Sequence, residues 1–184
     1  MSLAFLMLTL PLTVAAEEPR VELLWAKGAP GAVGTEPAGG HLASTAGTHF
    51  DDGKADAEDS IDKVSCRPDF LILCYPVVTL EPPYAHMGGK DADAKLVESL
   101  CNEKQVTDKT PPTFLFHTDA DRGVVPENSM LFYLALKKAK VPAELHIYEK
   151  GNHGVGLAPG DPILKTWPDR LNGWLETRGL LKKQ

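Results

Sequence analysis

A chain of 184 residues with 43% hydrophobic and 24% charged side chains has the size and make-up of one globular domain, long enough to bury a sizeable core. Its net charge of −6 is spread along the sequence with no basic run, which excludes the electrostatic footprint of a nucleic-acid partner. Three cysteines, Cys66, Cys74 and Cys101, cannot all pair within the chain and lack metal-ligand or C-x-x-C spacing, so no chemistry is assigned to them.

The chain opens on MSLAFLMLTLPLTVAA, sixteen residues without a charge. The apolar run 3–14 has the length of a signal-peptide h-region and is too short to cross a bilayer as a helix. Val14, Ala15 and Ala16 supply small residues before Glu17, where a signal peptidase would cut. Residues 1–16 are therefore read as a signal peptide with an incomplete n-region, since no Lys or Arg precedes the run. A secreted or periplasmic protein follows, with no membrane partner once the leader is gone. Residues 17–37 form an N-terminal remnant or linker. Within it RVELLWAK (20–27) could be a short strand, and the Gly/Pro/Ala stretch after it must be loop.

From residue 38 to 184 the pattern is that of a domain. Residues 41–50 (HLASTAGTHF) suit a helix packed closely on something flat, and the charged DDGKADAEDSIDK that follows is a solvated loop. DFLILCYPVV (69–78) is a near-continuous apolar run, the mark of a strand buried on both faces of a parallel sheet. Helical periodicity covers 91–105 through Ala94, Leu96, Val97 and Leu100. TFLFH (113–117) is a second buried strand, 128–139 a helix ending in lysines that suit its macrodipole, and AELHIY (143–148) a third strand. A final amphipathic helix spans 162–178, with Gly179 at its end. Such alternation predicts an α/β fold with a parallel sheet of about three core strands and helices on both faces.

In open α/β sheets the working residues sit just beyond the carboxyl ends of strands. That rule singles out Asp119 and Asp121 after the second strand and His153 after the third. A carboxylate there can bond to the imidazole Nδ1–H, leaving Nε2 as general base. Glycines on both sides of His153 allow the loop to bring its ring close to a partner. Each residue alone also suits a structural role: Asp as a turn former or cap, His as a loop residue. A triad further needs a nucleophile upstream on a G-x-S-x-G elbow. The segment there reads Thr35-Glu36-Pro37-Ala38-Gly39-Gly40-His41, so Pro37 stands where serine is required, with Thr35 in place of the first glycine. Ser44, Thr45 and Ser129 lack the elbow context. No two of the six histidines stand four apart around a carboxylate, so no metal is expected. His146, in mid-strand, is read as a packing residue.

Taken in order, AGGHLAST, THFD, RPDFLILCYPV, TPPTFLFHTDAD, VPAELHIYEKGNHGVGL and TWPDRLNGWL resemble the α/β-hydrolases of the acetylxylan or xylanase-associated esterase type, over residues 38–181. The resemblance implies a partial α/β-hydrolase fold, its C-terminal half, lacking the serine elbow through an internal deletion. It places the acid at Asp121, by the D-x-x-V stretch before Glu127-Asn128-Ser129, and makes Asp119 the less favoured carboxylate. It places the histidine at His153, in G-x-H-G. It also implies that the Ala38 N–H supplies half an oxyanion hole. No cofactor is implied. The expected activity is carboxylic ester hydrolysis on an acylated small molecule or polysaccharide, lost here with the serine. The alternative is a non-catalytic relative or fragment with a binding role. A missing strand beside 69–78 would also leave an apolar sheet edge open to self-association.

Overall fold

A computed structural model describes residues 38–84 and 93–181, all within the compact unit Thr35–Gln184. The expected signal peptide (1–16), the expected strand at 20–27 and Pro37 lie outside the described residues.

Three strands, β1 (Leu71–Cys74), β2 (Thr113–Thr118) and β3 (Ala143–Tyr148), form a parallel sheet in the order β1-β2-β3. Leu71 pairs with Thr113, and Thr113 in turn with Ala143. Every residue of β2 is buried, so the central strand is covered on both faces, as its unbroken apolar run requires. On one face Leu71, Leu73 and Leu115 pack with Phe132 and Leu136 of helix α3 (Glu127–Lys138) and with Ala43 of helix α1 (Ala38–Thr48). On the other, Phe114 and Phe116 meet Trp167 and Trp174 of helix α4 (Trp167–Thr177). The Phe116 and Trp167 rings stack with centroids 4.8 Å apart. The fold expected from the sequence is thus present: three parallel strands between two helical layers.

Several boundaries differ for local reasons. The first strand is shorter than 69–78, because Tyr75 adopts φ 41° and Pro76 follows, which takes the chain out of the ladder. Helix α1 begins three residues earlier than expected, at Ala38. The predicted helix 91–105 divides into α2 (Ala94–Ser99), capped by Asp93, and a 3₁₀ turn at Asn102–Lys104. Asn102 causes the break. Its N–H donates to the Val78 carbonyl at 2.8 Å, while its buried amide donates to Ser44 Oγ at 2.7 Å and Thr45 Oγ1 at 2.9 Å. The last helix likewise divides, into a 3₁₀ turn at Leu164–Thr166 and α4, with Pro168 in the first turn where no N–H is needed.

Close helix–sheet contact is confined to particular glycines. A Cβ at Gly40 would lie 2.5 Å from Pro76 Cα, so only glycine lets α1 approach the end of β1. A Cβ at Gly39 would meet no atom of the described residues within 4 Å. Of the cysteines, Cys101 is buried, Cys66 is exposed, and burial pushes the Cys74 thiol up to about 11. At neutral pH Cys74 is therefore a protonated, unreactive thiol.

Candidate active site

The turn after β2 and the loop after β3 converge on one point. Asp121 closes the β2 turn, its N–H bonding to the Thr118 carbonyl, and its side chain is fully buried. Oδ1 accepts the N–H groups of Gly123 at 2.8 Å and Val124 at 2.9 Å. Oδ2 is left to face His153 Nδ1 at 2.8 Å. A carboxylate satisfied by two backbone donors has one fixed orientation, so its third hydrogen bond is directional. Asp119 lies exposed, with its backbone N–H bonded to the Tyr148 carbonyl, and does not take part in this pairing.

His153 is held by backbone the sequence only partly announces. Gly151 has φ 128°, and a Cβ there would meet Thr118 Cγ2 at 2.8 Å; Thr118 Oγ1 also donates to its carbonyl at 3.0 Å. Gly154, after the histidine, has φ 76°. These glycines allow the loop to fold back over the end of β2. A Cβ at Gly123 would stand 3.0 Å from His153 Cβ, so the acid's own turn also needs a glycine to admit the imidazole. The Tyr75 ring meets the imidazole edge-on, with centroids 5.0 Å apart. Burial, chiefly, and then the neighbouring Cys74 raise the Tyr75 hydroxyl above its ordinary 10.0.

With Asp121 accepting from Nδ1–H, the proton-free nitrogen is Nε2. Among the described residues Nε2 makes no hydrogen bond, and the side chain is 18% exposed. A carboxylate-oriented imidazole with a free Nε2 can act as general base toward a hydroxyl or water. Ala38 is the first residue of α1, so its N–H has no intrahelical acceptor. Ser44 donates to the His41 carbonyl within α1, at 2.9 Å, and Ser129 lies buried against His117. Neither is placed as a nucleophile. His146 bonds to Glu144 at 2.7 Å and packs on Phe114, centroids 5.5 Å apart. Among the described residues no group of three or more His, Cys, Asp or Glu could hold a metal ion.

Two neighbours of the pair were not singled out in the sequence. Tyr75 is hidden because only the sharp turn at positive φ brings its ring to His153. His117 had a visible signal, since it stands four residues before Asp121 and lies near the end of a buried strand with the wrong polarity for a core.

The architecture is a partial α/β-hydrolase fold, with an acid–histidine pair on the carboxyl rim of its sheet. Residues 78–167 match the prolyl oligopeptidase family. The structure is similar to an acetyl ester-xyloside bifunctional hydrolase from Caldicellulosiruptor lactoaceticus, with 47% identity and a TM-score of 0.75 over 79% of this chain and 55% of that one. A sugar hydrolase from Lactococcus lactis is 32% identical with a TM-score of 0.60, over 77% of this chain and 55% of that chain. Endo-1,4-beta-xylanase B of Butyrivibrio fibrisolvens is 37% identical over 71% of this chain and 21% of its own length. The chain therefore resembles the carbohydrate-esterase branch of the α/β-hydrolases and spans about half the length of the solved relatives it matches.

Proposed function

We propose that this chain carries the acid–histidine half of a carboxylic ester hydrolase for acylated carbohydrate, and that as it stands it performs no serine-dependent turnover. The observation that carries the reading is the 2.8 Å bond from His153 Nδ1 to buried Asp121, on the ends of adjacent parallel strands. Asp121 fixes the imidazole tautomer, and His153 Nε2 is the base that would take a proton from an attacking hydroxyl. The Ala38 N–H is assigned one half of an oxyanion hole. The sugar-ester substrate class rests on the similarity to an acetyl ester-xyloside hydrolase and, at 29% identity, to the acetylxylan esterase of Xylanibacter ruminicola. Export fits such a substrate and the apolar leader of residues 1–16.

The inactive state is argued from Pro37, which occupies the serine position of the elbow and offers neither an oxygen nor a transferable proton. Loss of a triad serine costs on the order of a millionfold in turnover. Hydrolysis of p-nitrophenyl acetate by the wild-type chain should equal that of a His153→Ala variant, and a fluorophosphonate probe should label no serine. Turnover lost on His153→Ala, or a labelled serine, would overturn the inactive reading. An acylated xylo-oligosaccharide should still shift the His153 ring resonances in an NMR titration, as a retained non-catalytic binding role requires. An unchanged spectrum would remove the assigned substrate class.

A further inference from the structure

Behind the acid lies a second histidine that the proposed chemistry does not use. His117 is the fifth residue of β2 and is fully buried. Its Nδ1 lies 2.7 Å from Ser129 Oγ on α3, its Nε2 lies 2.9 Å from the Val124 carbonyl, and the same Nε2 is 3.5 Å from Asp121 Oδ2. One carboxylate oxygen thus has two imidazoles within reach, His153 at 2.8 Å and His117 at 3.5 Å. Which of them it serves depends on the proton of His117.

We propose that His117 and Ser129 form a buried brace that keeps Asp121 Oδ2 committed to His153, with His117 acting as a neutral positioning residue. This rests on the reading of Asp121 and His153 as the acid–base pair. Nε2 faces two acceptors, the Val124 carbonyl and Asp121 Oδ2, so it must carry the proton. Nδ1 is then the acceptor, and the Ser129 hydroxyl donates to it. In that tautomer the Nε2–H is directed chiefly at Val124, whose own N–H is bonded to Asp121 Oδ1. The turn from 121 to 124 is clamped through both its carbonyl and its amide, which orients the carboxylate. A protonated His117 would be a cation 3.5 Å from Oδ2 and would draw that oxygen away from His153. Burial works against this state, lowering the His117 pKa below 6.5, although the Val124 carbonyl and the Asp121 charge favour the proton.

Nitrogen-detected NMR of the wild-type protein tests the brace without any need for turnover. His117 should show a pyrrole-type Nε2 and a pyridine-type Nδ1, unchanged from about pH 8 down to about pH 5.5, below the ordinary histidine range. A Nδ1–H tautomer, or titration within that window, would overturn the proposal. The downfield Nδ1–H proton of His153, assigned by its loss in His153→Ala, gives the second measurement. His117→Phe should abolish this signal or speed its solvent exchange at least tenfold. His117→Gln, whose amide nitrogen can reproduce the Nε2–H donor, should keep it. An unaltered signal in a folded His117→Phe protein would sink the brace. If that variant fails to fold, loss of the signal in folded His117→Gln would do so instead. Absence of the downfield proton from the wild-type protein would count against the Asp121–His153 pair itself, and the His117 tautomer would still decide the brace.

Discussion

At the scale of the residue, Asp121 is a fully buried carboxylate with both oxygens engaged. It accepts three hydrogen bonds at a position with no solvent access, so replacing it leaves three donors without a partner. Asp121→Ala should lower the stability by about 2–4 kcal/mol, measured from urea midpoints at neutral pH. Asp119→Ala, at an exposed position, should change it by less than about 0.5 kcal/mol. His117 gives a pH dependence of definite sign. Its folded pKa lies below 6.5, so in the window between that folded value and 6.5 the unfolded chain binds more protons. The contribution is fully present above 6.5 and is lost as the pH falls below it. Urea midpoints should therefore drop on acidification through this range, and drop less in His117→Gln.

At the scale of the element, two adjacent glycines in α1 should respond in opposite ways. Alanine favours a helix over glycine by about 1 kcal/mol, and at Gly39 nothing among the described residues opposes that gain. Gly39→Ala should be neutral or stabilising by up to about 1 kcal/mol. At Gly40 the new methyl would meet the Pro76 backbone at 2.5 Å, which cannot rotate away, so Gly40→Ala should be destabilised by about 1–3 kcal/mol despite its better propensity. Thermal or urea melts of the two variants decide the point. Propensity is what a sequence displays, and packing against distant residues is what it conceals. The three strands, their parallel order and the meeting of a β2-end carboxylate with His153 were legible because long apolar runs and strand-end positions depend on local pattern, whereas the choice of Asp121 over Asp119 came from the resemblance alone. The ends of β1 and the break after α2 were not. The first depends on Tyr75 accepting a positive φ, the second on Asn102 being buried among Ser44, Thr45 and Val78.

At the scale of the whole molecule, β1 has a ladder partner on one side only among the described residues, and Ile72 on it is 36% exposed. Leu42 on the neighbouring helix α1 is 72% exposed. Unpaired N–H and C=O groups flanked by apolar side chains invite another strand. The expected behaviour is concentration-dependent association in sedimentation velocity, reduced by Ile72→Lys, which sets a charge against the edge. A monodisperse monomer with a cooperative melt above about 60 °C, beyond most of the mesophile range, would show that this edge is not exposed in solution.

The acid and histidine are only 32 positions apart, and every group that orients them lies between the start of β2 and the loop after β3, save the Tyr75 ring and Leu164 under Gly151. Short sequence separations mean little loop-closure entropy, so the β2–α3–β3 unit should collapse early in folding. The pair is then set by the fastest-forming part of the chain and does not wait for distant segments. Amides of Phe114–Phe116 should exchange with deuterium last, and the Asp121–His153 bond should outlive partial unfolding of α1 and β1.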